Sequence, residues 1–151
     1  MIHLIEVTED NWLEIANLKV SEEQKKFLAP SIGILARGYV YRDCNSHVFG
    51  IADDKQIVGV ALVRDFLDEP IGYDLQQFMI DARFQNRGYG TEALKKILQY
   101  LREEARYDHV EVCVNNEDYQ AIRVYEKIGF IDSGYIDEDL PNYINMIFHF
   151  K

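Results

Sequence analysis

The chain has 151 residues and a formal net charge of −10. That length fits a single domain, 1–151, whose core needs no staples. The excess of acid argues against nucleic acid, which requires clustered Lys and Arg, and favours a cationic ligand. Cys44 and Cys113 follow no disulfide or metal spacing. The N-terminus lacks a basic segment ahead of a long apolar run. No stretch nears the ~18 apolar residues of a membrane helix. A cytoplasmic protein with reduced thiols, no metal and no membrane contact is therefore expected.

Ile2 to Val7 reads as a first strand, and Thr8 to Asp10 offer caps for a helix carrying Trp12, Ile15 and Ala16. Helical stretches follow around Glu22 to Leu28 and around Ile32 to Tyr41. His47 to Ala52 and Ile57 to Val63 flank Asp53-Asp54-Lys55-Gln56, a hairpin signal, and Tyr73 to Ile80 is a further strand. From Gly88 to Arg106, apolar residues recur at Tyr89, Ala93, Leu94, Ile97, Leu98, Leu101 and Ala105, the stripe of an amphipathic helix. Val110, Val112 and Val114 alternate in a strand over His109 to Val114. Asp118 to Ile128 returns to helical spacing, with Gly129 as its C-cap. Phe130 to Ile136 and Tyr143 to Phe150 close the chain as strands. The order β-α-α-β-β-β-α-β-α-β-β predicts an α/β or α+β mixed sheet with helices on its faces.

The most informative segment joins the strand ending Phe78-Met79-Ile80 to the long helix through Gln85-Asn86-Arg87-Gly88-Tyr89-Gly90-Thr91. A strand, a glycine loop and a helix N-terminus together form a pocket for phosphate. A Walker loop is excluded, because no Lys-Ser/Thr pair follows the second glycine. A dinucleotide fingerprint, which tolerates Ala at position 93, fits poorly because the loop comes after four strands and is preceded by the polar run Asp81 to Asn86. Gln85, Gly88 and Gly90 instead match the acyl-CoA loop, Gln/Arg-x-x-Gly-x-Gly/Ala. Downstream, Ala121, Tyr125 and Gly129-Phe130 match a second signature at the expected distance. On these two motifs the chain resembles the GNAT N-acetyltransferase family from Ile2 to Phe150.

The resemblance implies a mostly antiparallel central sheet splayed between strands 4 and 5, with helices on both faces. It implies acetyl-CoA as co-substrate, held by Gln85, Asn86, Arg87, Gly88, Tyr89, Gly90 and Thr91. Phe78, Met79 and Ile80 would run along the pantetheine arm as a neighbouring strand would. Tyr125 is the expected general acid toward the departing thiolate. Asp74 is the expected base, and strand alternation would place it on one face with Gln76, Phe78 and Ile80. Where the family usually carries Asn, this chain has Asp118; Asn116, just upstream, is a substitute. Family members often dimerise through their last strands, so a homodimer falls within the resemblance.

The acceptor is read from Leu18 to Pro30, which is similar to bacterial spermidine/spermine acetyltransferases in its Glu-Gln-Lys-Lys-Phe-Leu-Ala-Pro segment. A polyamine would suit the acidic surface, with Glu22, Glu23, Asp43, Asp68, Glu69 and Asp74 along its path. Two alternatives stand beside it. One is a protein N-terminus, amino acid or other small amine as acceptor, and the other is a non-catalytic acyl-CoA sensor, which would not need the acid Tyr125.

Overall fold

The computed structural model describes residues 1–150. Seven strands form one sheet in the order β1-β2-β3-β4-β5-β7-β6. The first four are β1 (Ile2–Glu6), β2 (His47–Asp53), β3 (Gln56–Phe66) and β4 (Gly72–Ile80); β5 (His109–Asn115), β6 (Ile131–Asp132) and β7 (Tyr143–His149) complete it. Neighbours are antiparallel except for β4 and β5, which run parallel.

Helix α1 (Trp12–Ala16) and helix α2 (Ser31–Val40) cover one face of the sheet. Ile15, Leu18 and Ile34 pack there with Val60, Leu62 and Met79. Helix α3 (Tyr89–Glu104) and helix α4 (Tyr119–Ile128) cover the other. The stripe read from the sequence is the buried one: Ala93, Leu94, Ile97, Leu98 and Leu101 seal against Ala61, Leu75, Val110, Val112 and Phe130. The alternating valines of β5 face this same core, leaving Glu111 and Cys113 on the opposite side. No helix among the described residues is long and apolar enough to cross a membrane.

The structure corrects two expected elements. Residues 22–28 form turns, not an α-helix, with the Ser21 carbonyl accepting from the Gln24 and Lys25 amides. A helix nucleus fixes several residues for one hydrogen bond, and this stretch ends at Pro30 before the cost is recovered. The expected strand Phe130 to Ile136 shrinks to Ile131–Asp132. There the Asp132 carboxylate accepts from the Gly134 amide at 2.8 Å and Gly134 adopts φ 83°, a turn that interrupts the strand beside β7.

Candidate functional site

Strands β4 and β5 pair over only two rungs, Tyr73 with Val110 and Asp74 with Glu111, and then part. A cavity of about 430 Å³ opens between them, continuing under the turn segment 20–28 and along α4. Parting leaves the β4 edge from Leu75 to Ile80 without a strand partner on that side. Such an edge can take an extended ligand as an added strand. Phe78, Met79 and Ile80 all line the cavity.

The glycine loop forms one end of it. Asp81, buried at the close of β4, accepts from the Arg83 amide and side chain (both 2.9 Å) and from the Lys19 amide (2.9 Å). Burial alone would raise this carboxyl, but the Arg83 guanidinium and the two amides hold it below the usual range. Asp81 thereby ties the segment after α1 to the start of the loop. Gly88 takes φ 83° and caps α3, a conformation that costs other residues roughly 1–2 kcal/mol. Gly90 has no positive φ, and a Cβ built there would meet only Ile80 Cγ1, at 3.8 Å. Neither backbone strain nor crowding explains this glycine; it leaves open space on the cavity wall at a helix N-terminus, where unpaired N–H groups gather.

Gln85, Asn86, Gly88, Tyr89, Gly90 and Thr91 line this end. The Gln85 side chain has protein partners: its amide donates to the Ile80 carbonyl at 2.8 Å and to Gln24 Oε1 at 2.9 Å. Gln24 in turn donates to Gln120 on α4 at 3.2 Å. Three amides thus clasp the 20–28 segment to the loop and to α4. Arg87 lies off the cavity wall, its guanidinium 5.7 Å from the Phe84 ring centre. The Tyr89 hydroxyl donates to Asp53 at 2.6 Å, fixing the first residue of α3 to the end of β2.

Tyr125 is buried and lines the cavity, its ring 5.3 Å from Phe130 and 6.5 Å from Phe78. Burial, with the Asp118 charge second, pushes its phenol well above the ordinary value of about 10. The phenol is therefore neutral and holds its proton across the physiological range. Asp118 caps α4, accepting from the Ala121 amide at 3.3 Å, and lines the cavity beside Asn115. Asn116 does not: it is exposed, and its amide donates to the Asn142 carbonyl at 2.8 Å.

Asp74 stands elsewhere than alternation places it. The β3–β4 register shifts after Leu62, which pairs with Gln77, while Val63 pairs with Leu75. Gln76 is the extra residue of a bulge. Leu75, Phe78 and Ile80 accordingly join the core under α3, whereas Met79 joins the core under α2 and Gln76 accepts from Arg37 of that helix at 3.1 Å. Asp74 shares this second side: Arg64 Nε donates to its carboxylate at 2.9 Å and stacks over Tyr41 of the α2 C-cap. Asp74 thus faces away from Phe78 and Ile80.

Its neighbour across the last rung is Glu111, which sequence reading passed over. Burial raises the Glu111 carboxyl, and Asp74 adds to the rise. Burial likewise raises Asp74, against the pull of Arg64. One same-face step beyond Glu111, Cys113 lines the cavity; partial burial first, then Asp74, Asp137 and Glu111, push its thiol up to about 11. An acidic corner therefore sits at the apex where the strands part. Neither Asp74 nor Glu111 is on the cavity wall itself, and the other acidic residues assigned to the acceptor also lie apart from it: Glu22 is exposed and pairs with Lys25, and Asp43, Asp68 and Glu69 are exposed.

Comparison with known proteins gives the same outline. The family model described as the Acetyltransferase (GNAT) family matches residues 7–130. A spermine/spermidine N(1)-acetyltransferase of Bacillus subtilis (strain 168) is 27% identical over 146 residues, covering 90% of this chain and 91% of the relative. The crystal structure of a spermidine N-acetyltransferase from Vibrio cholerae, in complex with CoA and spermine, superposes with a TM-score of 0.76 at 16% identity, covering 98% and 95% of the two chains. An aminoglycoside acetyltransferase in complex with coenzyme A superposes with a TM-score of 0.79 at 16% identity, covering 99% and 95%.

Proposed function

The chain belongs to the GNAT acetyltransferase family, and from that premise we propose that it moves the acetyl group of acetyl-CoA to a primary amine of a polyamine such as spermidine or spermine. The observation that carries the acceptor is the similarity to the Bacillus spermine/spermidine enzyme along nine-tenths of the chain. The net charge of −10 and the acidic apex agree with a polycationic substrate.

Acetyl-CoA lies along β4 beside Phe78, Met79 and Ile80, with its pyrophosphate on the backbone N–H groups at Gly88, Gly90 and Thr91. An alkylammonium with a pKa near 10.4 is neutral in only about 10⁻³ of molecules at pH 7, a cost of roughly 4–5 kcal/mol. The carboxylate pair Asp74 and Glu111 takes that proton, through water, at the apex. The freed nitrogen attacks the thioester carbonyl, and as the carbon–sulfur bond breaks the nitrogen gives its second proton to water and becomes the amide. Tyr125 donates a hydrogen bond from its hydroxyl to the departing sulfur. Because the phenol is pushed so far up, full transfer to a thiolate with conjugate acid near 8.5 is uphill by about 1.4 kcal/mol per pKa unit. Tyr125 therefore acts as a hydrogen-bond donor that stabilises developing charge, and keeps its proton as CoA leaves.

Thiol release from acetyl-CoA is the test, with spermidine, spermine, a peptide N-terminus and an aminoglycoside as acceptors. Turnover with spermidine or spermine at the highest kcat/KM is the expected result. Faster turnover with the peptide or the aminoglycoside, and silence with both polyamines, would reassign the acceptor.

A further inference from the structure

The cavity wall carries one cation. Among the described residues that line it, Arg123 is the only basic side chain and Asp118 the only carboxylate. Arg123 lies on the solvent-accessible side of α4, one turn past Gln120 and two residues before Tyr125. It makes no salt bridge among the described residues. A chain with 26 acidic and 16 basic residues offers carboxylates in plenty, yet Arg123 lines the cavity and pairs with none of them among the described residues. The basic residues near the glycine loop are committed elsewhere: Arg83 is bonded to Asp81, and Arg87 lies off the wall above Phe84.

The two sides of the cavity mouth supply complementary chemistry. On one, helix α3 begins with backbone N–H groups at Gly88, Gly90 and Thr91, a partial positive charge fixed in direction. On the other, Gln120 of α4 reaches the clasp that includes Gln85, so the first turns of α4 border the same end of the cavity. An anion entering there meets helix dipole and amides on one side and a free guanidinium on the other. A guanidinium offers planar, paired N–H donors that match phosphate oxygens, which amides alone cannot neutralise.

We infer that Arg123 is a second phosphate contact for the donor, gripping from α4 an anionic group of the CoA molecule whose pyrophosphate rests on the glycine loop. This rests on the acetyl-CoA reading above. It gives the acidic chain a local device for accepting a polyanion, and it makes donor affinity depend on a side chain away from the reacting atoms. Arg123 is a binding residue: losing it should raise Kd and KM for acetyl-CoA and leave kcat nearly unchanged.

The test is calorimetric titration of the full chain and its Arg123→Ala and Arg123→Lys variants with CoA, dephospho-CoA and pantetheine at low salt. Ala at an exposed helix position keeps the helix, so the fold should survive. Arg123→Ala should weaken CoA about tenfold, the size of one charge-assisted hydrogen bond. Arg123→Lys should recover part of the loss, and pantetheine, which has no phosphate, should bind all three proteins equally. Loss with CoA alone assigns the contact to the 3′-phosphate; equal loss with dephospho-CoA assigns it to the pyrophosphate. Unchanged CoA affinity, or a matching loss with pantetheine, overturns the inference. Failure of the unaltered protein to bind CoA at all would overturn the donor reading instead.

Discussion

Replacing Gly90 by Ala should stabilise the empty protein and weaken its hold on CoA, two effects of opposite sign from one methyl group. Gly90 is the second residue of a 16-residue helix and has no positive φ. Alanine is preferred to glycine inside helices by about 1 kcal/mol, and by about half that in a first turn. The new Cβ would have Ile80 Cγ1 as its nearest neighbour, at 3.8 Å, an ordinary contact. A gain of about 0.5 kcal/mol in a domain of this size raises Tm by roughly 1–2 °C. The same methyl projects into the space reserved for the donor, and overpacking of that kind costs about 1–3 kcal/mol, a rise in Kd of roughly 5- to 150-fold. Thermal melts with and without CoA read both effects: the empty melt moves up while the CoA-induced rise shrinks. Gly88→Ala is the control, because φ 83° makes it lower the empty melt despite open space around it. A destabilised Gly90→Ala protein would refute the helix argument. Unchanged CoA affinity would refute the claim that the donor backs onto this residue.

Two further outcomes follow from the titratable groups. Tyr125→Phe should lower kcat about 10²- to 10⁴-fold while CoA affinity stays within about twofold, measured by steady-state kinetics beside titration. A loss of CoA binding instead would make Tyr125 a wall residue. Asp74 has a raised carboxyl pKa in the folded state, so its contribution to stability is present at low pH and lost as pH rises through that value. Asp74→Asn lacks this loss. Its stability relative to the unaltered chain, followed by denaturant unfolding, should therefore rise from about pH 4 upward. A difference independent of pH would show that Asp74 titrates alike folded and unfolded, and a difference that changes only as pH falls below about 4 would show that Arg64 holds it ionised; either refutes the burial argument.

The devices that shape the donor half of the cavity are local and so legible in sequence. A turn with φ 83° at Gly88 and an amphipathic stripe ending at Gly129 are each written within a few neighbouring residues. The acceptor half depends on how strands meet. No Gly or Pro marks the bulge at Gln76, so strict alternation put Asp74 on the wrong face. Glu111 gained its place only from the parallel rung with Asp74, a relation between residues 37 positions apart, which no local spacing encodes. The clasp joining Gln24, Gln85 and Gln120 is equally non-local. By contrast, the break after Asp132 was legible in Asp-Ser-Gly, a turn chemistry outweighed in the reading by the apolar residues around it.

The brief contact between β4 and β5 bears on how the chain folds. Strands β1 to β4 form one antiparallel group and β5 to β7 a second, and two rungs of parallel pairing are the whole seam between them. The hairpins β2–β3 and β3–β4 close through short connections at low entropic cost, whereas the seam needs the crossover through α3 and has two rungs to offset it. The seam should accordingly form late and open early, and amide exchange at Tyr73, Asp74, Val110 and Glu111 should be faster than at the centre of β3. A ligand laid along the parted edges would act as the missing length of that seam, so occupancy would slow exchange on both sides at once.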